Sequence, residues 1–337
     1  MMLISNGGRL KNLICLGIES TAHTFGVGLV NSKGKVLANE KACFESKSSG
    51  IKPQDAATAH MRNAAKVIAK ALDIAGLKPY ECDVISFAQG PGLGPCLKVG
   101  ATAARTLALL HNKALIPVNH CVAHIEIGRL TTKAKNPVVV YVSGGNTQII
   151  ALEQKRYRVF GETLDIGIGN MLDSFGRKLG LGFPAGPILD KIYFDGGNYI
   201  GLPYTVKGTD LAFAGLQTAA EKMIGKVRRE DLVYSLLHNA FAMLTEVTER
   251  ALAYTERKEV LLVGGVASSI ALRRMLATMC KERKAKLFVP EQQFCTDNGA
   301  MIAWLGILEH MHGKNVCIEK SEVKQKVRIE ETEVTWL

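Results

Sequence analysis

The stretch LICLGIESTAHTFGVGLV, residues 13–30, reads as a strand, a small-polar turn and a second strand, and a third strand is expected at 35–38. The same plan returns in PVVVYVSGGNTQIIA, residues 137–151, with a third strand expected near 157–161. Both first strands are apolar runs that end at a turn built from Gly, Ser or Thr. A second echo follows each. DVISFAQGPGLG, residues 83–94, runs a strand into a glycine-rich loop, with a helix expected over about 97–111 and a strand at 115–118. EVLLVGGVA, residues 259–267, does likewise, with a helix at about 270–283 and a strand at 286–289. Each is a β-loop-α-β unit, whose two strands are expected to be parallel with a right-handed crossover.

A duplicated unit of this kind implies an α/β fold of two similar lobes, each βββαβα, with a cleft between them. Actin, sugar kinases and heat-shock chaperones share that architecture, the ASKHA class. The expected lobes are residues 1–136 with 298–337, and residues 137–297. The second carries a mainly helical, glycine-punctuated insertion at 163–244. In α/β sheets ligands sit beyond the carboxyl ends of the strands, where these loops lie.

The 337 residues suffice for two lobes. The longest apolar stretches, such as 259–267, are broken well before 18 residues, so no membrane-spanning helix is expected. Residues 1–12 contain Arg9 and Lys11 but no apolar core before a cleavage site, so no secretory signal is read there. Eight scattered cysteines form no C-x-x-C pair, which points to reduced thiols in a cytosolic protein and away from a disulfide framework. The net charge is +11, from 42 basic and 31 acidic residues, with clusters at Lys226, Arg228 and Arg229, at Arg273 and Arg274, at 281–286 and at 320–328. A phosphate backbone suits such a surface as partner; a merely solvated basic face is the alternative. Aromatics are sparse and no RRM-like module is present, so RNA affinity would rest on backbone electrostatics.

The segment NHCVAHIEIG, residues 119–128, follows a strand and reads as a helix. His120 and His124 are i and i+4, so both imidazoles share one face and can chelate one metal ion. Two core or surface histidines are the alternative. Position 121 is Cys, so the H-E-x-x-H signature of metalloproteases, which needs Glu there, is absent. A third ligand should be a carboxylate at another strand end. Asp297, in FCTDNGA at 294–300, precedes the C-terminal helix, where a helix cap is its competing role. The loops at 142–147, 90–94 and 264–265 let backbone N–H groups approach phosphates. Asp165, Asp173 and Asp190 lie in the insertion, where each could accept from ribose hydroxyls or simply cap and solvate.

The stretches GIESTAHT, QGPGLGP, NHCVAHIEIG, YVSGGNTQ, FGETLDIGIGNMLDSFGRKLGLG, PAGP, LPYTVKG, LVGGVA and DNGAMIAWLG resemble the universal tRNA threonylcarbamoyladenosine transferase family. Within it the chain is similar to the archaeal and eukaryotic type, the catalytic subunit of the KEOPS complex. Such proteins were earlier described as O-sialoglycoprotein endopeptidases, which the missing Glu at 121 argues against. The resemblance spans nearly the whole chain. It implies transfer of threonylcarbamoyl from threonylcarbamoyl-AMP to N6 of adenosine 37, with release of AMP, in tRNAs reading codons that begin with A.

Carried onto this sequence, the resemblance implies metal ligation by His120, His124 and Asp297, with Tyr141 a fourth in archaeal members. It implies a phosphate loop at Tyr141, Val142, Ser143, Gly144 and Gly145, with Asn146 beside it among the nucleotide- or substrate-binding residues. Asp173, Gly186, Asp190 and Ser269 match ribose- or adenine-side positions, and Glu19 and His23 are candidates near the acyl group. Two positions depart: Asp190 stands where the family has Glu, and Ser269 where it has Asn. Rearranged or weakened nucleotide contacts are expected from both. The implied cofactors are one divalent metal ion, iron by resemblance with zinc and magnesium open, and an adenine nucleotide. The implied partners are tRNA, a Bud-type kinase-like ATPase and small KEOPS accessory subunits, in the cytoplasm and away from membranes. An ASKHA-fold ATPase or kinase acting on another substrate, and a nucleotide-regulated scaffold, are the rival readings.

Overall fold

A computed structural model describes residues 12–44 and 51–337; the signal-peptide expectation for residues 1–12 falls outside them but for Asn12. The chain divides into two compact units, Met1–Leu130 with Asp297–Leu337, and Thr131–Thr296.

In the first unit, β1 (Ile14–Glu19), β2 (Thr24–Asn31) and β3 (Val36–Cys43) form an antiparallel meander. α1 (Pro53–Ala75) follows, in a stretch for which no element is expected from the sequence above. Its signals are a proline in the first turn, a buried stripe of Ala56, Ala57, His60, Val67, Ala71 and Leu72, and Gly76 closing the last turn in the left-handed conformation. β4 (Val84–Gly90), α2 (Gly94–His111) and β5 (Ala114–Asn119) make the expected crossover, and both strand pairings β1–β4 and β4–β5 are parallel. The sheet order is β3-β2-β1-β4-β5. Leu16, Ile18, Phe25, Leu29, Ile85 and Phe87 are fully buried in its core.

β5 runs directly into α3 (His120–Thr132). The C-terminal helix (Gly299–Met311) returns to this sheet at very short range. A Cβ on Gly299 would stand 2.1 Å from the Gly28 nitrogen, so only glycine permits the approach. That approach fixes where Asp297, two residues earlier, must lie.

The second unit repeats the plan. β6 (Val138–Val142), β7 (Thr147–Glu153) and β8 (Arg156–Glu162) are antiparallel. The insertion supplies α4 (Ile168–Lys178), α5 (Gly186–Tyr193), a small hairpin of β9 (Val206–Lys207) and β10 (Asp210–Leu211), and α6 (Ala214–Glu221). α7 (Arg229–Thr255) then passes through the core with Leu236, Phe241, Leu244 and Val247 fully buried. β11 (Glu259–Val263), α8 (Ile270–Glu282) and β12 (Lys286–Phe288) close the unit, followed by the short α9 (Gln292–Cys295). β11 pairs in parallel with both β6 and β12. The order β8-β7-β6-β11-β12 therefore reproduces that of the first unit strand for strand. All eight cysteines are free thiols. Among the described residues no helix is long and apolar enough to cross a membrane.

Candidate active site

In the first unit, Asn119 ends β5 and caps α3: its Oδ1 accepts from the N–H groups of Cys121 (2.9 Å) and Val122 (3.3 Å). The helix begins at His120, so His120 and His124 lie one turn apart, with ring centroids 4.7 Å from each other and planes at 88°. Both rings are buried. Asp297 arrives from the turn before the C-terminal helix. The cap of that helix is its neighbour Asn298, whose Oδ1 accepts from Met301 N–H at 3.0 Å. Asp297 is thus spared the capping role that competed for it in the sequence. Its Oδ1 lies 3.2 Å from His124 Nε2 and 3.6 Å from His120 Nε2. One ligand atom from each of the three residues falls within 4.8 Å of the others. Bonds of about 2.0–2.2 Å keep ligand atoms within about 4.4 Å of each other, so the three would draw slightly closer around an ion.

A fourth group makes the cluster chemically apt for a metal. Glu19, at the end of β1, is fully buried and lies 2.9 Å through Oε2 from His120 Nδ1. Its Oε1 accepts from the N–H (2.6 Å) and the hydroxyl (2.5 Å) of Thr21. A carboxylate on the far nitrogen of a ligating histidine fixes the tautomer that points the other nitrogen inward. Two imidazoles and a carboxylate, so backed, fit a divalent transition metal; several would be held. Burial alone would push His120 down, but the charge and hydrogen bond of Glu19, and then Asp297, outweigh it and hold the group up at about 9. Burial pushes His124 down, and the bond to Asp297 does not reverse it. Burial opposes charge on Asp297 too, yet its bond to His124 and the nearby His120 and His23 hold its carboxyl well below the usual carboxylate range. His23 stands half-buried on the β1–β2 turn, which His60 of α1 grips through the Ala22 carbonyl at 2.9 Å.

In the second unit, Tyr141 and Val142 are fully buried at the end of β6, and the turn beyond them has a definite polarity. Ser143 N–H donates to Asn146 O (2.8 Å), and Asn146 N–H returns to Ser143 Oγ (3.1 Å). The carbonyls of Ser143 and Gly144 are taken by the N–H groups of Gly169 (3.2 Å) and Asn170 (2.9 Å) in the first turn of α4. Gly144 and Gly145 are exposed, and among the described residues their N–H groups have no protein acceptor. Two unengaged donors on adjacent exposed residues are of the kind that can meet an anion.

The expected ribose-side residues come together in pairs. Asp173 Oδ1 accepts from Ala185 N–H at 2.8 Å, beside Gly186. Asp190 and Ser269 touch: the Ser269 hydroxyl donates to Asp190 Oδ1 at 2.5 Å. Asp190 also accepts from Ile270 N–H (2.9 Å) and Ala271 N–H (3.3 Å). The two positions that depart from the family pattern are therefore in contact with each other. They also close the N-terminus of α8, where the protein's own carboxylate meets the Ile270 and Ala271 N–H groups. In the loop at 90–94 the N–H groups expected to approach a phosphate are taken internally, Gly92 N–H donating to Gln325 O (3.2 Å) and Leu93 N–H to Thr21 O (2.8 Å). Asp165 proves a local cap, accepting from Ile166, Phe213 and Ala214 N–H groups.

Much of the basic surface is engaged internally. Arg228 pairs with Glu230 at 3.1 Å, Arg283 with Glu249 at 2.6 Å, and Arg273 Nε donates to Ala267 O at 2.6 Å. Arg274 lies over the Phe194 ring at 4.8 Å and Lys286 over Phe288 at 4.5 Å. Arg229, Lys281 and Lys284 stand exposed.

Comparison with known proteins bears directly on this cluster. The family model described as tRNA N6-adenosine threonylcarbamoyltransferase matches residues 34–304. The tRNA N6-adenosine threonylcarbamoyltransferase of Thermococcus kodakarensis is 53% identical over 326 residues, covering 96% of this chain and 100% of that protein. A probable bifunctional tRNA threonylcarbamoyladenosine biosynthesis protein of Methanocaldococcus jannaschii is 50% identical; the match covers 96% of this chain but 61% of that protein. Among solved structures, T. kodakarensis HypF aligns with a TM-score of 0.63 at 16% identity, over 89% of this chain and 48% of that one. Component A of the Acidaminococcus fermentans (R)-2-hydroxyglutaryl-CoA dehydratase aligns at 0.57 and 12% identity, over 89% and 99%. At such identities these two show the fold alone, the ASKHA fold expected from the internal repeat. With the family model matched across 34–304 and a relative 53% identical end to end, the chain belongs to the tRNA N6-adenosine threonylcarbamoyltransferase family.

Proposed function

We infer that this chain modifies tRNA, transferring threonylcarbamoyl from threonylcarbamoyl-AMP to N6 of adenosine 37 in tRNAs that read codons beginning with A. The observation that carries the reading is the convergence of His120, His124 and Asp297, backed by buried Glu19, in a chain alike end to end to a named transferase. An exocyclic adenine amine is a poor nucleophile, so the carbamoyl carbon needs an activated leaving group, and a mixed anhydride with AMP supplies one. A divalent ion held by the three residues, iron in the preferred assignment, would act as a Lewis acid toward anionic oxygens. Asp297 and the two imidazoles hold that site, with Tyr141 the proposed fourth ligand. Glu19 keeps His120 Nε2 directed inward. The outward N–H groups of Gly144 and Gly145 donate to the phosphate. Asp173 and Gly186 lie on the ribose and adenine side, and His23 near the acyl group. Asp190 is assigned there too, where a ribose hydroxyl would share a carboxylate that already accepts three donors.

For tRNA itself, Arg229, Lys281 and Lys284 offer charge not spent on internal pairs, and such contacts weaken with salt. A Bud-type kinase-like ATPase and small KEOPS-type subunits are the proposed partners. Support comes from the relatives named bifunctional, of whose length this chain's match covers 61%.

The test is incubation of the protein with these partners, threonylcarbamoyl-AMP and unmodified tRNA, followed by nucleoside mass spectrometry. A threonylcarbamoyladenosine mass that disappears in His124→Ala is the expected result. A phosphorylated small molecule formed from ATP, with no modified nucleoside, would replace this reading with that of a kinase.

A further inference from the structure

The C-terminal segment 321–328 has no regular structure, yet it is bonded along its length to the loops around His120. Its upstream end is tied by Arg105, whose Nε donates to Ser321 Oγ at 2.9 Å and whose guanidinium also reaches Ser321 O. Downstream, Ile329 and Val334 are buried anchors. Between them Lys324 N–H donates to Gln89 O at 2.8 Å, and Gln89 Nε2 donates to Glu322 O at 2.9 Å. Gly90 (φ 155°) must be glycine for this contact, since a Cβ there would stand 1.8 Å from Lys324 O.

Two chains of hydrogen bonds lead from this strap to one residue. In the first, Asn119 Nδ2 donates to Arg328 O at 3.1 Å, while Oδ1 of the same amide caps the first turn of α3 at Cys121 and Val122. His120 is the residue between cap and capped groups. In the second, Gly92 N–H donates to Gln325 O, Leu93 N–H to Thr21 O, Thr21 to Glu19 Oε1, and Glu19 Oε2 meets His120 Nδ1. The first chain sets the backbone position of His120 and the second sets its ring.

We propose that the strap at 321–328 and Asn119 position His120 for metal binding, Asn119 being the positioning residue through which the strap acts. This rests on His120 being a metal ligand. Asn is specifically suited to the task, because one amide must accept from two N–H groups and donate to a carbonyl. Aspartate would keep the cap and lose the strap, since a carboxylate has no hydrogen to offer Arg328 O. Arg105→Met would loosen the strap from its other end, at a residue that reaches neither the histidines nor Asp297 by any bond described.

The experiment measures Co(II) affinity and the Co(II) visible absorption of the full chain, with thermal melting as the check on folding. Wild type should bind Co(II) with a ligand-field spectrum. Asn119→Asp should melt near the wild-type temperature but bind Co(II) about tenfold or more weakly, the usual cost of losing an outer support of a ligand. Arg105→Met should shift affinity in the same direction by a smaller factor, and decides the matter should Asn119→Asp fail to fold. Faster tryptic cutting at Lys324 and Lys326 would mark release of the strap. Co(II) affinity within twofold of wild type in the folded variants would overturn the proposal and leave the strap as packing alone. Absence of Co(II) binding by wild type would overturn both it and the metal reading beneath it.

Discussion

Replacing Asp190 by alanine separates the two roles open to this carboxylate. It is buried and accepts from the Ser269 hydroxyl and from the Ile270 and Ala271 N–H groups at the start of α8. The N-cap Ser269, whose Oγ accepts from Leu272 N–H, stays in Asp190→Ala, and the hydrogen bonds lost at Asp190 cost about 1 kcal/mol. Loss of a negative charge from a helix N-terminus adds about 0.3–1 kcal/mol. A partly buried donor left without an acceptor adds about 1–3 kcal/mol, at the lower end here because Ile270 is exposed and water can reach it. Together these predict a loss of about 2–4 kcal/mol for Asp190→Ala. Asp190→Asn keeps an acceptor oxygen and should lose about 1 kcal/mol. Urea unfolding followed by circular dichroism would measure both, and the melting temperature should fall by about 2–4 °C for each kcal/mol. In a double-mutant cycle with Ser269→Ala the two changes should be non-additive, because the side chains touch. An Asp190→Ala protein as stable as wild type, but with nucleotide affinity lost, would refute the capping role and return Asp190 to the ribose.

Gly145→Val should fold normally, since a Cβ at Gly145 meets nothing within 4 Å. It should nonetheless weaken AMP binding by about tenfold or more in calorimetry, by crowding the outward N–H groups; unchanged affinity would exclude this turn as the phosphate site. The metal-free protein should show a pH-dependent stability traceable to His120. Its pKa is raised to about 9, from an unfolded value near 6.5, by Glu19 and Asp297 against the opposing effect of burial. A raised folded pKa means the contribution is complete below about 6.5 and is lost as pH climbs through 9. Urea midpoints in chelator should therefore fall between those limits in wild type and less so in Glu19→Gln; identical profiles would show that this ion pair does not govern the trend.

The internal repeat was legible because strand and helix periods are local, and the two sheets match in order as that repeat required. The histidine pair was legible for the same reason, one helical turn being four residues. Asp297 was named but not separable from a capping role. Only the neighbouring Asn298, by taking the cap, decides between them. The contact between Glu19 and His120 joins residues 101 apart, which no spacing in the sequence reveals. The pairing of Asp190 with Ser269 was hidden in the same way: the two positions that depart from the family pattern lie 79 residues apart and touch. α1 was legible and missed: its alanine-rich stripe is weakly apolar, but the proline in its first turn and Gly76 beyond its last are ordinary boundary signals.

The duplication also places the strand-end loops in equivalent pairs, and their backbone groups are not engaged alike. Each unit offers two strand-end loops in equivalent places, the turn after its first strand and the loop before its crossover helix. In the first unit the turn after β1 carries Glu19, whose buried carboxylate supports a ligand; in the second the turn after β6 carries Gly144 and Gly145, with outward N–H groups for an anion. The loop at 90–94 is filled from within by the strap at Gln325, and Asp190 closes the start of α8. A helix N-terminus or glycine turn left open would attract phosphate indiscriminately, since its donors and dipole favour any anion. Filling the loop at 90–94 and the start of α8 in this way leaves the turn at Gly144 and Gly145 as the proposed anion site and the cluster of His120, His124 and Asp297 as the proposed metal site. Opening a filled loop, as Asp190→Ala would do at α8, should therefore create a second, weak phosphate site. Phosphate titration of that variant by NMR should show shifts at the Ile270 and Ala271 amides that wild type lacks, and their absence would show that the carboxylate there caps without excluding anything.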